Sequence, residues 1–147
     1  MRVLGSRALR GTALRYGFFW GPGTWYDPAG SVARSVRAGR VPVIGSGRGV
    51  YGFVHVEDAA RATAAAVEAE PGVYNLVDDH PSPLAAWLPA FARWVGAGPP
   101  PRLTAREARA TVGEDAVYHA TRLRGASNAK ARDRLGFRPR APGWTDP

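Results

Sequence analysis

The chain has 147 residues, an apolar content of 45%, a formal net charge of +8 and no cysteine. This length suits one domain with a buried core, the apolar content argues against intrinsic disorder, and the lack of cysteine excludes disulfide bonds and thiolate chemistry. No run approaches the roughly 20 apolar residues that cross a bilayer, and the N-terminus has no signal-peptide pattern, so we expect a cytoplasmic protein.

The chain begins with a basic segment over residues 1–11, which we interpret as a tail or the remnant of a helix. Residues 12–147 are expected to form the domain. Residues 12–20 are mostly apolar and predict a strand that is buried on both faces in a parallel sheet. A helix is predicted over 28–39, because a proline near its start and a glycine at its end match the usual helix boundaries.

A glycine-rich loop follows, Gly45-Ser46-Gly47-Arg48-Gly49. It lies between two β-prone runs, 41–44 and 50–56, and therefore predicts a hairpin of two short strands. The alternative is a phosphate-binding loop. A loop of that kind usually opens a helix, so that its free N–H groups face the anion, whereas here β-prone residues come next.

The rest of the chain alternates helical and extended patterns. Glu57 or Asp58 is predicted at the N-terminus of the next helix, where a negative charge is favoured by the helix dipole. Trp87, Phe91 and Trp94 are spaced four and three residues apart and predict one buried helix face. The remaining elements are a buried strand over 73–77 and helices over 59–70, 84–95, 105–110 and 128–135. This alternation predicts an α/β fold.

Four segments carry a resemblance to a known enzyme family. They are Leu14–Gly23 with the turn Gly21-Pro22-Gly23, Gly52–Ala62 with Phe53-Val54-His55-Val56, Gly72–Val77 with Tyr74-Asn75, and Ser127–Pro139 with Ser127-Asn128-Ala129-Lys130. In this order and at these spacings, they resemble the extended short-chain dehydrogenase/reductase family, in its NAD-dependent epimerase/dehydratase branch. The resemblance covers most of the chain and corresponds to the C-terminal half of that family.

The resemblance implies the C-terminal part of a Rossmann-like doubly wound fold. The last sheet strands, 12–20 and 73–77, and a substrate-binding lobe would be present, without the N-terminal βαβ units that bind the cofactor. NAD or NADP is the implied cofactor, and the implied substrate is a sugar nucleotide or a related small carbonyl or hydroxyl compound. The family's catalytic Tyr-x-x-x-Lys pair has no counterpart, because the only lysine, Lys130, lies four residues after Ala126. We therefore expect no catalytic residue in this chain.

The resemblance also implies which residues meet the ligands. The turn Gly21, Pro22 and Gly23 would border the nicotinamide end of the cofactor, because glycines let the backbone approach a ligand closely. The predicted substrate-binding residues are Phe18, Trp20, Thr24, Trp25, Tyr26, Asp78 and Lys130. Asp78 follows a strand, and ligands of open α/β sheets bind beyond the carboxyl ends of strands. The alternatives are that Asp79 caps the following turn and that Lys130 is solvated near the cap of the last helix.

Charge and histidine placement leave further alternatives. His55 is interpreted as a packed strand histidine, with a general base as the alternative, and the scattered histidines predict no metal site. The arginines are spread out rather than clustered, which disfavours a nucleic-acid partner. Unpaired apolar strand edges favour self-association or pairing with an N-terminal cofactor-binding half.

Three functions are compatible with these patterns. The first is the substrate-binding half of an NAD(P)-dependent epimerase/dehydratase, an oxidoreductase or isomerase whose missing half another polypeptide would supply. The second is a non-catalytic module that binds a small ligand or a protein. The third is a basic nucleic-acid-binding domain.

Overall fold

The computed structural model describes residues 11–145, so the predicted N-terminal tail or helix remnant lies outside the described residues. The strands are β1 (Thr12–Tyr16), β2 (Phe18–Trp20), β3 (Val43–Ile44), β4 (Val50–Tyr51), β5 (Phe53–His55), β6 (Gly72–Leu76), β7 (Ser82–Pro83) and β8 (Arg102–Leu103). The helices are α1 (Ser31–Arg37), α2 (Val56–Val67), α3 (Leu84–Trp94), α4 (Ala105–Thr111), α5 (Glu114–Arg122) and α6 (Ala129–Leu135). The predicted α/β class is confirmed.

The predicted first strand is divided at Gly17 into β1 and β2. β1 pairs in parallel with β6, and β2 pairs in parallel with β5. The Gly17 N–H donates to the Leu76 carbonyl and the Phe18 N–H donates to the Gly52 carbonyl, so the strand changes its partner at this point. A Cβ atom on Gly17 would lie 2.5 Å from the Gly52 oxygen. The change of partner therefore requires glycine.

The prediction that residues 12–20 are buried on both faces is wrong for the described chain. Tyr16 and Phe19 are 39% and 40% exposed, and their ring centroids lie 5.2 Å apart. Within residues 11–145, β1 has β6 as its one strand neighbour. Tyr16 and Phe19 form an exposed aromatic patch on this strand.

The predicted hairpin at the glycine-rich loop is also wrong. β3 pairs in parallel with β8, and β4 pairs antiparallel with β7, so the two runs beside the loop do not pair with each other. The loop is pinned elsewhere: Gly45, Gly47 and Gly49 donate their N–H groups to carbonyls of Leu103, Ile44 and Ala120. A Cβ atom on Gly49 would overlap the carbonyl oxygen of the residue before Ala120. Gly49 therefore admits close approach of α5, and the engaged N–H groups of the three glycines do not support phosphate binding.

The helices match most of the sequence predictions. α1, α2, α3, α4 and α6 lie within or next to their predicted ranges, and α3 contains Pro89 in its interior. α5 was not predicted, so the described residues form six helices. On α3, Trp87 and Phe91 are buried as predicted, whereas Trp94 is 37% exposed.

α2 begins at Val56, three residues before the start of its predicted range, 59–70. His55 is its N-cap, and its Nδ1 accepts the Glu57 N–H at 3.2 Å. Glu57 and Asp58 instead occupy the first helical turn, where their charge still favours the helix dipole.

Two hydrophobic clusters flank the strands. The larger surrounds α3 and includes Phe53, Leu88 and Phe91, and the smaller includes Tyr74 and Leu76 of β6. Within residues 11–145, no helix has the length and apolar character needed to span a membrane. The clusters fix the ends of β2 and β6, which support the turn described next.

Candidate functional site

The turn that follows β2 contains two glycines in the left-handed backbone region. Gly21 has φ 103° and Gly23 has φ 76°. A Cβ atom on Gly21 would lie 2.6 Å from His55 Nε2, whereas one on Gly23 would meet nothing within 4 Å. Thr24 closes the turn, since its N–H and its hydroxyl both donate to the Gly21 carbonyl, at 3.2 and 2.8 Å. Gly21 therefore packs inward, and Gly23 faces open space.

A cavity of about 370 Å³ lies beside this turn, and we call it the turn cavity. Its volume is within the range of small-molecule sites. Its lining residues are Gly17, Phe18, Phe19, Gly23, Thr24, Trp25 and Tyr26. The structure thus brings five of the predicted site residues together at the carboxyl end of β2, where open α/β sheets bind ligands. Trp25 is 73% exposed and stands at the edge of the cavity.

The other predicted residues near the turn serve the fold. Trp20 packs edge-on against His55, with ring centroids 4.6 Å apart, and does not line the turn cavity. Pro22 is exposed and Gly21 is buried. The packing of Trp20 and Gly21 holds the turn in place. The predicted contact of Trp20, Gly21 and Pro22 with a ligand stays a prediction.

Asp78 lies at the end of β6, but its carboxylate is engaged by the backbone. One oxygen accepts the Phe53 N–H at 2.6 Å and the other accepts the His80 N–H at 2.7 Å. Burial raises the pKa of Asp78 above its usual value, and these hydrogen bonds partly oppose the rise. Asp78 thereby ties β5 to the end of β6 and shapes the following turn. Its role in substrate binding stays a prediction.

The alternative prediction, that Asp79 caps the following turn, is wrong. Its carboxylate accepts hydrogen bonds from Asn128 Nδ2 at 2.7 Å and from Arg132 Nη1 at 2.5 Å. The Arg132 side chain is the main cause that lowers the pKa of Asp79. Asp79 therefore connects the end of β6 to α6.

Lys130 lies at the opposite end of the parallel strands. Its Nζ is 4.4 Å from the centroid of the Tyr74 ring and close to Gly72, at the start of β6. Gly72 pairs with Thr12, so about 26 Å of strand separates this end from Trp20, at ~3.3 Å per residue. The structure does not bring Lys130 together with the turn cavity.

An acidic and basic cluster lies behind the turn. Asp58 is 2% exposed, accepts the Arg140 N–H at 2.8 Å and forms ion pairs with Arg61 and with Arg140 Nε. Arg140 also donates to Glu57 at 2.6 Å, and this hydrogen bond is the main cause that lowers the pKa of Glu57.

His55 completes this cluster and is packed, as predicted. It is buried, and its Nε2 lies 3.5 Å from Arg140 Nη1. The cluster therefore helps to hold the His55 ring in position, and Gly21 packs against that ring. Arg140 was not identified from the sequence, because no local pattern links it to residues that lie more than eighty positions earlier.

A second cavity has a volume of about 380 Å³, and we call it the inner cavity. Tyr26 lines both cavities. Tyr51 and Trp87 also line the inner cavity, and Arg40 and His119 are exposed lining residues. The sequence analysis missed this site, because its residues come from separate segments and share no motif.

Comparisons with known proteins agree with the fold. The family model described as "NAD dependent epimerase/dehydratase family" matches residues 5–76. A Streptomyces protein, 3-diazoavenalumate denitrifying reductase, is 44% identical over 146 residues, which are 99% of this chain and 48% of that protein.

Two solved structures are similar over nearly the whole chain. The human epimerase family protein SDR39U1, solved with NADPH, has a TM-score of 0.74 and 21% identity, over 95% of this chain and 47% of that chain. UDP-glucose 4-epimerase from Thermotoga maritima, solved with UDP-glucose, has a TM-score of 0.68 and 23% identity, over 96% of this chain and 44% of that chain. These likenesses confirm the predicted Rossmann-like fold.

The chain spans about half the length of the relatives that it matches. The predicted resemblance is confirmed by the family model, by the Streptomyces reductase and by the shared fold. The chain is similar to the NAD-dependent epimerase/dehydratase family, whose model matches residues 5–76, and it covers part of the length of its relatives.

Proposed function

We propose that the chain forms the substrate-binding part of an NAD(P)-dependent reductase that acts on a small molecule. The observation that carries this proposal is the turn cavity at the carboxyl end of β2, with open space in front of Gly23. The similarity to the Streptomyces reductase over nearly the whole chain favours a reductase over an isomerase. A diazo compound such as the one in that protein's name is one candidate substrate.

The described residues fit one end of a dinucleotide. Gly23 would let the backbone approach the nicotinamide ring, which supplies the hydride when the cofactor is bound. The pyrophosphate needs a glycine-rich turn that opens a helix. In residues 11–145, the loop Gly45–Gly49 leads into β4 and its glycine N–H groups are engaged. The rest of the cofactor would be held by residues outside the described range or by another polypeptide.

The chain's own residues bind and orient the substrate. Phe18 and Tyr26 form buried or half-buried walls of the turn cavity, and Trp25 and Phe19 shield its edge from water. A general acid–base pair of the Tyr-x-x-x-Lys type would come from a partner, because the only lysine lies over the Tyr74 ring. That partner is an N-terminal cofactor-binding half, and self-association is the alternative.

The test combines this chain with the part of the Streptomyces reductase that it does not cover. NADPH oxidation with 3-diazoavenalumate is followed by absorbance. Turnover is expected with both polypeptides together and with neither alone. Trp25→Ala should raise KM with little change in unfolding temperature, whereas Val67→Ala, exposed on α2, serves as the matched control. Turnover by this chain alone, or none from the pair, contradicts the proposal.

The second candidate is a binding module without chemistry. The position of Ala126 four residues before Lys130 favours it, because the catalytic pair cannot form in this chain. Saturable substrate binding that Trp25→Ala weakens, without NADPH oxidation in any combination, would support this alternative.

A further inference from the structure

The inner cavity has a chemical character of its own. Its walls combine aromatic rings with aliphatic side chains, and among the described residues that line it none is Asp, Glu, Asn or Gln. Its volume of about 380 Å³ is in the range of small-molecule sites. A ligand there would meet apolar surface and hydrogen-bond donors, but no carboxylate or amide.

The buried end of the cavity is aromatic. The Tyr51 and Trp87 ring centroids lie 5.1 Å apart, and those of Tyr26 and Trp87 lie 5.9 Å apart. All three side chains are buried. Faces and edges at these separations are suited to packing against a further planar ring.

The same three side chains have unused hydrogen-bonding capacity. Trp87 Nε1 is buried without a hydrogen-bond partner. Within the described part of the chain, the hydrogen-bonded tyrosine hydroxyls are those of Tyr16 and Tyr74, not those of Tyr26 and Tyr51. Burial raises the pKa of Tyr51 to about 12 and also raises the pKa of Tyr26, so both hydroxyls keep their protons. An acceptor atom on a ligand would satisfy Trp87 Nε1, a buried donor that is costly to leave unpaired.

The open side of the cavity is positive. Arg40 lines it and is exposed. The arginines that pair with carboxylates within residues 11–145 are Arg61, Arg109, Arg132, Arg134 and Arg140, and Arg40 is not among them. His119 is also exposed on the lining. An anionic group at this rim would therefore find a guanidinium that is not engaged by another described carboxylate.

We propose that the inner cavity binds a planar aromatic monocarboxylate, with its ring against Tyr26, Tyr51 and Trp87 and its carboxylate on Arg40. The assignment rests on the proposed function: Tyr26 lines both cavities, so the aromatic part of the substrate would occupy the inner cavity beside the turn cavity. A sugar nucleotide fits the lining poorly. Its pyrophosphate has two negative charges against one arginine, and its sugar hydroxyls would meet no carboxylate or amide acceptor.

The test is a calorimetric titration of the purified 147-residue chain with 4-hydroxycinnamate. This probe has a planar ring, an oxygen acceptor at one end and a carboxylate at the other. Its neutral amide and UDP-glucose are titrated in parallel. We expect Arg40→Gln to weaken binding of the carboxylate about tenfold, through loss of a charge-assisted hydrogen bond. The same substitution should leave the weaker binding of the amide unchanged.

Two further variants keep the result interpretable. Ala116→Phe should fill the cavity and abolish binding of the probe, whereas Arg93→Gln removes an exposed arginine that does not line the cavity and should have no effect. Circular dichroism spectra confirm that each variant is folded. Equal binding of acid and amide, insensitivity to Arg40→Gln or Ala116→Phe, or tighter binding of UDP-glucose would each overturn the assignment. The outcome of this titration does not determine the outcome of the NADPH oxidation test. Failure of the inner-cavity assignment can therefore be distinguished from failure of the proposed reductase function.

Discussion

Replacing Asp78 with alanine separates a structural role from a role in ligand binding. The substitution leaves two backbone N–H groups, those of Phe53 and His80, without their carboxylate acceptor. Phe53 is 2% exposed, so water cannot replace the lost partner, and an unsatisfied buried donor costs about 1–3 kcal/mol. His80 is exposed and its N–H can reach water, so its loss adds little.

An opposing contribution reduces this cost. Burial raises the pKa of Asp78, which means that ionisation of the carboxylate is itself unfavourable in the folded chain. Alanine removes this penalty, and we expect a net loss of about 2 kcal/mol in the free energy of unfolding. For a domain of this size that corresponds to a fall of about 6 °C in the unfolding temperature.

The sign of the pH dependence follows from the same shift. A folded-state pKa above the unfolded value of 3.8 means that the folded chain binds the proton more tightly. The stability that Asp78 contributes is therefore greatest below pH 3.8 and declines as pH rises through the folded-state pKa. The deficit of Asp78→Ala should grow as the solution is acidified.

The assay is urea and thermal unfolding, monitored by circular dichroism, of the wild type, Asp78→Ala and Asp79→Ala. Asp79 is the matched control: its ion pair with Arg132 is partly exposed, and such a pair stabilises by at most about 1 kcal/mol. An unchanged unfolding temperature in Asp78→Ala, together with lost ligand binding, would refute the structural role. It would support the sequence prediction that Asp78 binds substrate.

Three further predictions concern the turn, one ion pair and the aromatic patch. Gly21→Ala should lower the free energy of unfolding by roughly 3 kcal/mol, because the added Cβ would overlap the His55 ring. Gly23→Ala should lower it by about 1 kcal/mol, because that substitution adds only backbone strain. Equal losses of the two variants in urea unfolding would contradict this prediction. Arg132 lowers the pKa of Asp79, so the stability from this pair is present above pH 3.8 and is lost as pH falls through the folded-state pKa. Asp79→Asn should therefore make the free energy of unfolding depend less on pH in the acid range. The same pH dependence in the variant and the wild type would count against this prediction. The exposed aromatic patch of Tyr16 and Phe19 predicts self-association that Phe19→Lys weakens, and sedimentation of the wild type as a monomer at every concentration would exclude it.

The elements that depend on local pattern were predictable from the sequence. The amphipathic spacing in residues 84–95 and the boundary residues of 28–39 predicted α3 and α1, because periodicity and capping act over a few residues. The sequence also contains a pattern typical of α5, which the prediction missed. Gly113 precedes two acidic residues in the first turn, and Arg122 lies in the last turn, as the helix dipole favours.

Strand partners were less accessible, because they depend on residues distant in the chain. β3 pairs with β8 and β4 pairs with β7, and no pattern within residues 41–56 specifies either partner. The glycines there indicated a reversal of the chain, whereas in the structure Gly49 admits the backbone of α5 and Gly47 lies against Ala85 of α3. The hairpin was therefore an inference from composition that tertiary packing overrode.

The part of the candidate site that lies in one contiguous segment was predictable from the sequence, and the parts that distant segments bring together were not. The turn after β2 gave Gly23, Thr24, Trp25 and Tyr26 from one contiguous segment, and the structure places them around one cavity. Lys130 was assigned from a motif whose position on α6 lies at the far end of the strands. The inner cavity had no signal in the sequence, because each of its walls comes from a different element.

The change of strand partner at Gly17 has a consequence for how the molecule opens. β1 and β6 serve the smaller hydrophobic cluster, whereas Phe18 of β2 packs against the larger one. One covalent strand thus passes from one core to the other at the Gly17 and Phe18 amides, which donate to carbonyls of Leu76 and Gly52. Hydrogen exchange at these two amides should follow whichever core opens at the lower free energy. We therefore expect the junction to separate two cooperative units within a single strand.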